Sequence, residues 1–159
     1  ILAAGYFVGG ALGDFLFKRT KKGRILISSA GVVLGAIFLA LAVTSPIEAK
    51  NQFFIFMCLT AIFMPLSSAN VIATVYDVTV PEVRSTAQAS EYFIENAGAA
   101  FAPILTGIIA DQYSLQTAIL IIPTVAWSLC FIFYLGALFT IDKDHADLRA
   151  QMASRAKAM

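Results

Sequence analysis

Apolar residues fall into five long blocks separated by short polar breaks, at 1–17, 25–44, 53–76, 85–110 and 117–141. Crossing the hydrocarbon core of a bilayer takes about 20 residues of helix, at a rise of about 1.5 Å per residue. Four blocks reach that length, and the first falls slightly short. The pattern therefore predicts five transmembrane helices and an all-α integral membrane fold. The stretch 142–159 is charged and Ala-rich. It is expected to be a solvated tail, although Leu148 and Met152, four apart, would also suit a short helix on the membrane surface. The chain opens on Ile1 inside an apolar block, and is expected to be a fragment cut within a helix.

The polar breaks orient the blocks. The first, Phe17 to Arg24, holds Lys18, Arg19, Lys21, Lys22 and Arg24. Lys and Arg resist transfer across the membrane, so this break is expected on the cytoplasmic side. Five alternating spans then place the break at Pro81 and the C-terminal tail on that side too. Arg84, Lys143, Arg149, Arg155 and Lys157 join the loop bases there, and only Lys50 falls outside. A bias of ten against one predicts a multi-pass protein of the cell membrane with a cytoplasmic C-terminus.

Composition agrees: 59% of residues are hydrophobic and 13% charged, against about 25% charged in an ordinary soluble domain. The bases cluster beside apolar helices rather than on a polar groove, which argues against a nucleic-acid partner. Cys58 and Cys130 sit inside apolar blocks without metal or redox spacing, as small reduced hydrophobes.

Within the blocks the polar and small residues are patterned. Gly5, Gly9 and Gly13 recur every four residues, leaving one helix face nearly bare for close packing. Gly98 and Gly107 invite the same reading in the fourth block. Pro65 interrupts the third block, as neighbouring helices or water can permit. Ser67, Asn70, Thr74 and Asp77 follow at helical spacing on one face, turned from lipid toward other helices or an aqueous cavity. Asp77 is expected at the inner interface, neutralised by Arg84. Gln88, Glu91, Glu95, Gly98 and Ala102 form a polar and small stripe on the fourth block. Phe93, Ile94, Phe101, Ile104 and Ile108 lie broadly opposite.

Two motifs carry a resemblance. Gly10-Ala11-Leu12-Gly13-Asp14 precedes a basic loop ending in Gly23-Arg24. Val80-Pro81-Glu82-Val83-Arg84-Ser85-Thr86-Ala87 precedes a helix with Gly98, Pro103, Gly107 and Ala110-Asp111. In order and spacing these resemble the major facilitator superfamily over essentially the whole chain, in the register of part of helix eight followed by helices nine to twelve. Phe15-Leu16-Phe17 departs from the family pattern by lengthening the loop. The resemblance implies a partial helix bundle of major-facilitator type, whose partner is the N-terminal half of the same transporter. It also implies a conformational latch built from Gly10, Asp14, Lys18, Arg19, Gly23, Arg24, Glu82 and Arg84. Asp14 would face the positive end of a helix in that other half, an arrangement worth about 0.3–1 kcal/mol. Alternatively it is an interfacial acid neutralised by Lys18 or Arg19.

Transport chemistry is expected where ionisable groups enter the membrane, since a mid-span Asp costs about 2.5–3.5 kcal/mol on insertion scales. Glu95 lies ten residues beyond Ser85, about 15 Å along a helix and half of a core about 30 Å thick. Glu91 is one turn nearer the cytoplasm. Burial and a like charge one turn away both disfavour ionisation, so one of the two is a candidate proton carrier. The alternative is a hydrogen bond or ion pair to a neighbouring helix. Asn70 and Thr74 are candidate hydrogen-bonding groups for solute, or else join helices. His145, in the tail, is expected to be solvated. The function implied is alternating-access movement of a small solute, with protons a candidate coupling ion. The alternative is a membrane scaffold or sensor that keeps the fold without transport. No metal or cofactor site is expected, and without a His-Glu-x-x-His motif or an intramembrane Ser–His pair, neither is an enzyme.

Overall fold

A computed structural model describes residues 1–158; Met159, the last residue of the tail, lies outside the described residues. Among the described residues all regular structure is helical: α1 (Leu2–Phe17), α2 (Gly23–Val43), α3 (Lys50–Phe63), α4 (Leu66–Val78), a 3-10 turn (Pro81–Val83), α5 (Arg84–Gln112) and α6 (Leu115–Ala158). Four helical stretches are long and apolar enough to cross a membrane: α2, α3 with α4, the 3-10 turn with α5, and α6. α1 is a shorter apolar helix. These are the helices of an all-α membrane bundle.

α2 is its centre. It packs against α1, α3, α4 and α6, and carries Ile25, Val32, Leu39 and Ala42 in the core. Its Ser28 and Ser29 are buried, but Ser29 donates to the Ile25 carbonyl at 2.8 Å, so the backbone satisfies it. α1 lies across α2, α3 and α4. α5 sits at the margin, against α6 and the end of α4, and buries none of its residues.

The third block departs from a plain span. Proline lacks an N–H, and its ring collides with the carbonyl four residues back. The helix stops at Phe63 and restarts at Leu66, around a fully buried Pro65.

The larger departure is the tail. α6 runs unbroken for 44 residues, about 66 Å at 1.5 Å per residue, roughly twice the thickness of a bilayer core. Its apolar stretch ends near Ile141. Beyond it, Ile141, His145 and Leu148 continue one stripe at helical spacing; the first two are buried and Leu148 is half-buried. Leu148, with Asp144, Asp147 and Gln151, lines a groove against Val78, Thr79, Val80 and Val83. Residues 142–157 thus continue α6 as a helical extension that is seated through His145 and Leu148 and is otherwise exposed.

The loop 18–22, the Pro81 turn and this extension meet at one end of the bundle, joined by Lys22–Asp142 at 3.3 Å and Arg155–Glu82 at 2.8 Å. At the opposite end Gln116 donates to the Val43 carbonyl at 2.6 Å, close to Lys50.

Candidate functional site

Two polar constellations stand out, one at the basic end and one along α5. The first centres on Arg24, in the first turn of α2. Its Nη2 donates to Asp14 Oδ1 at 2.8 Å, and its Nη1 donates to Asp77 Oδ2. A planar guanidinium suits this role, because its fork can address two carboxylates at once. One base thus ties α1, α2 and α4 together. Gly23 lets α2 begin there: a Cβ would lie 2.5 Å from the Leu16 carbonyl carbon and the Phe17 nitrogen. The Arg24 guanidinium also lies 4.4 Å from the Phe17 ring centroid, a cation–π distance.

These contacts change the expected pairings. Asp14 is neutralised by Arg24 rather than by Lys18 or Arg19. Both of those side chains are largely exposed, and Arg19 lies 4.7 Å over the Phe15 ring. Asp77 takes Arg24 rather than Arg84, whose guanidinium stands 5.7 Å over Tyr76 instead. Glu82 meets Arg155. Its carboxyl is held below the ordinary value first by a hydrogen bond from its own backbone, then by Arg155. Gly10 has only Ala69 Cβ nearby, at 3.9 Å, so it stays outside the tightest packing.

His145 corrects the sequence reading most sharply. Only 7% of it is exposed, and its ring lies 5.5 Å from that of Phe17 at 52°. Burial is the main cause that lowers its pKa below the ordinary 6.5; Lys21 and Arg149 act the same way, against Asp77 and Asp142. Phe17 itself was not singled out by sequence. Its signal was its place at the head of the basic loop, where an aromatic ring can collect cations.

Asn70 is placed inside the bundle, 1% exposed. Its Nδ2 donates to the Gly9 carbonyl at 2.9 Å and to the Leu66 carbonyl at 2.7 Å. Thr74 Oγ1 donates to the Asn70 carbonyl at 2.7 Å. Both hydrogen-bond to backbone, and Asn70 joins α1 to α4. Gly5, Gly9 and Gly13 line the same seam: added Cβ atoms would come within 2.5 Å of Ile62 O, 2.5 Å of Leu66 Cα and 1.7 Å of Asn70 Oδ1. Gly98 and Gly107 differ, since an added methyl would have nothing within 4 Å. Among the described residues no other helix stands against them.

The second constellation is the polar stripe of α5. Glu91 is seven residues into the helix and Glu95 eleven, about 10 and 16 Å along the axis. Glu95 is exposed and Glu91 half-buried. Glu91 Oε2 is buried without a hydrogen-bond partner. Close by, Tyr76 donates to Gln88 Oε1, Gln88 Nε2 donates to Tyr92 at 3.1 Å, and Tyr134 shares a hydrogen bond with Ser67. Glu95 follows Glu91 one turn further along α5. Buried polar groups normally find partners, so an orphaned carboxylate oxygen calls for an explanation. Among the described residues no cluster of ligands suits a metal.

Four membrane-length helices, a basic end tied by one arginine, and paired acids on an open helix face form one arrangement. No solved structure matches the chain. The sequence model of the Major Facilitator Superfamily matches residues 1–157, which covers both constellations. The chain therefore belongs to the Major Facilitator Superfamily, a family of secondary transporters embedded in the membrane.

Proposed function

We propose that this chain forms most of one half of an alternating-access transporter, and that Glu91 couples movement of a small solute to protons, assisted by Glu95. The orphaned Glu91 Oε2 is the observation that carries this reading. A carboxyl in that position gains by holding a proton, and the like charge of Glu95 one turn away reinforces the preference. Releasing that proton to an aqueous cavity costs less once the cavity opens. Coupling then follows from the difference between the two states.

The face of α5 supports the two-half arrangement. On the polar stripe, Gly98 stands in open space and Glu95 is exposed. A second helical half would cover the polar stripe and enclose a site near the membrane midplane, where transporter sites commonly lie. The Arg24 hub would then act as a latch that holds the basic end closed in one state. Ten of the eleven bases meet at that end, which supports a cytoplasmic position for it and for the C-terminus.

The test uses the intact gene product in proteoliposomes with an entrapped pH dye and a panel of candidate solutes. A solute that drives proton movement in the wild type should fail to do so with Glu91→Gln, and should do so more weakly with Glu95→Gln. Undiminished proton movement in Glu91→Gln would remove the coupling role. Solute flux without any proton movement in the wild type would leave a transporter of uncoupled type.

A further inference from the structure

The extension of α6 reaches the Arg24 hub through a single aromatic ring. Phe17 carries three nitrogen-bearing groups: Lys21 Nζ at 4.1 Å, the Arg24 guanidinium at 4.4 Å and the His145 imidazole at 5.5 Å from its centroid. Ion pairs hold the extension on both sides of His145. Asp142, three residues before it, meets Lys22; Arg155, ten residues after it, meets Glu82. The imidazole therefore packs on the ring from a helix fixed at two points. On the other side, Arg24 has 14% side-chain exposure, and its Nε is buried without a hydrogen-bond partner. Two carboxylates hold the ends of the guanidinium, and the ring flanks it.

We propose that His145 is the positioning residue for Arg24, acting through the Phe17 ring, so that docking of the α6 extension sets whether Arg24 can bridge Asp14 and Asp77. The inference rests on the latch reading above, and it gives residues 142–158 a task in the transport cycle.

Charge gives the joint a direction of response. The charged groups facing His145 are Asp77 from α4, Lys21 from the loop, and Asp142 and Arg149 from α6 itself, with Arg24 of α2 sharing the same ring. Protonation would add a cation to a site already holding Lys21 and Arg24, and would set it in competition with Arg24 for Asp77. The packed form binds a proton less readily than free imidazole, as burial dictates. Docking is thus at full strength above the ordinary value of 6.5, weakens as pH falls through that value, and levels off below the lowered native value.

The experiment is ¹⁵N–¹H spectroscopy of arginine side chains in the intact gene product in lipid nanodiscs. The Arg24 Nε–H signal is identified by its loss in Arg24→Lys. A buried, ordered Nε–H should give a protected signal in the wild type at neutral pH. His145→Ala should raise its hydrogen-exchange rate by about fivefold, the factor expected for one lost ring contact. His145→Phe keeps the ring and removes the titration, so it should restore protection and hold it in acid, where the wild type loses it. Unchanged protection in His145→Ala, or loss of protection in His145→Phe at neutral pH, overturns the proposal. Fading of His145→Phe in parallel with the wild type on acidification overturns it too. The latch reading is tested separately, by maleimide labelling of a cysteine introduced at the basic end, Thr20→Cys, with and without Arg24→Ala: labelling unchanged by Arg24→Ala would sink the latch itself, whatever the spectra show.

Discussion

α1 and α5 are both glycine-bearing apolar helices, yet the fold treats them oppositely. α1 buries Gly5 and Gly9 against the backbone of α3 and α4, and Gly13 against the Asn70 side chain. α5 carries Gly98 and Gly107 and buries nothing. Glycine therefore marks close approach only where a facing surface is present. In lipid there is no hydrophobic drive to bring helices together, so a seam depends on van der Waals contact and on hydrogen bonds that cross it. α1 has both, because Asn70 reaches the Gly9 carbonyl from α4. α5 has instead a polar stripe without partners for all of its atoms.

The widest expected gap between the two helices lies in their glycines. In Gly9→Leu the new Cβ would meet Leu66 Cα at 2.5 Å, and a backbone atom cannot swing aside. Overpacking of that kind costs about 1–3 kcal/mol, occasionally more, and this site should reach the upper end. Gly98→Leu meets nothing and removes a poor helix former, so it should leave stability unchanged or raise it by up to about 1 kcal/mol. Thermal unfolding of this chain in detergent or nanodiscs compares the two. Equal destabilisation would break the contrast and show that α5 packs against something within the chain. In the intact gene product Gly98→Leu should become costly, if a second half covers that face.

A smaller difference separates the two acids of the Arg24 hub. The Asp77 side chain is 26% exposed and that of Asp14 is 62% exposed. Water screens the pair with Asp14, so Asp14→Asn should cost less than about 1 kcal/mol. Asp77→Asn weakens the less exposed partner of a charged group and should cost about 1–3 kcal/mol. Arg24→Lys should resemble Asp77→Asn, because an ammonium is a point charge without the fork that spans both carboxylates. Chemical denaturation in micelles ranks the three. A larger effect for Asp14→Asn would shift the centre of the hub toward α1.

Most of this contrast was legible along the chain, and the failures have physical causes. Block length fixed the number of long helices, since burying a backbone in lipid leaves few other solutions. The four-residue glycine spacing of α1 located the seam, because helical geometry puts such residues on one face. Gly98 and Gly107 stand nine residues apart, which names no common face, and an added methyl at either would meet nothing within 4 Å. Pairings between charges failed for a related reason. Arg84 is near Asp77 in sequence, whereas Arg24 is distant in sequence and adjacent in the bundle. The helix over 142–157 was legible from Leu148 and Met152 four apart, but the seat of His145 was not, because the surrounding charges mask a narrow stripe of Ile141, His145 and Leu148, too short and too polar to register as an apolar block. Glu91 was visible as an intramembrane acid, but its orphaned oxygen depends on how α5 leans on α6.

The smallest expected effect lies where the loosely held side is tied down. Glu82, at the head of α5, meets Arg155 near the end of α6, and both side chains are largely exposed. Such a pair adds little to global stability, but it governs how firmly the extension is anchored. The Glu82 carboxyl is held below its ordinary 4.5, first by its own backbone hydrogen bond and then by Arg155. For a depressed carboxylate the sign is fixed: the tie is complete above the ordinary value and is lost as pH falls through the native one. Amide hydrogen exchange of residues 149–157 in the wild type should therefore rise in that acid range. Glu82→Gln should show the raised exchange already at neutral pH, with little further change in acid and no shift in the exchange of α2. Exchange in Glu82→Gln that matches the wild type at neutral pH would mean that the stripe of Ile141, His145 and Leu148 alone seats the extension. The tie to the head of α5 would then be incidental.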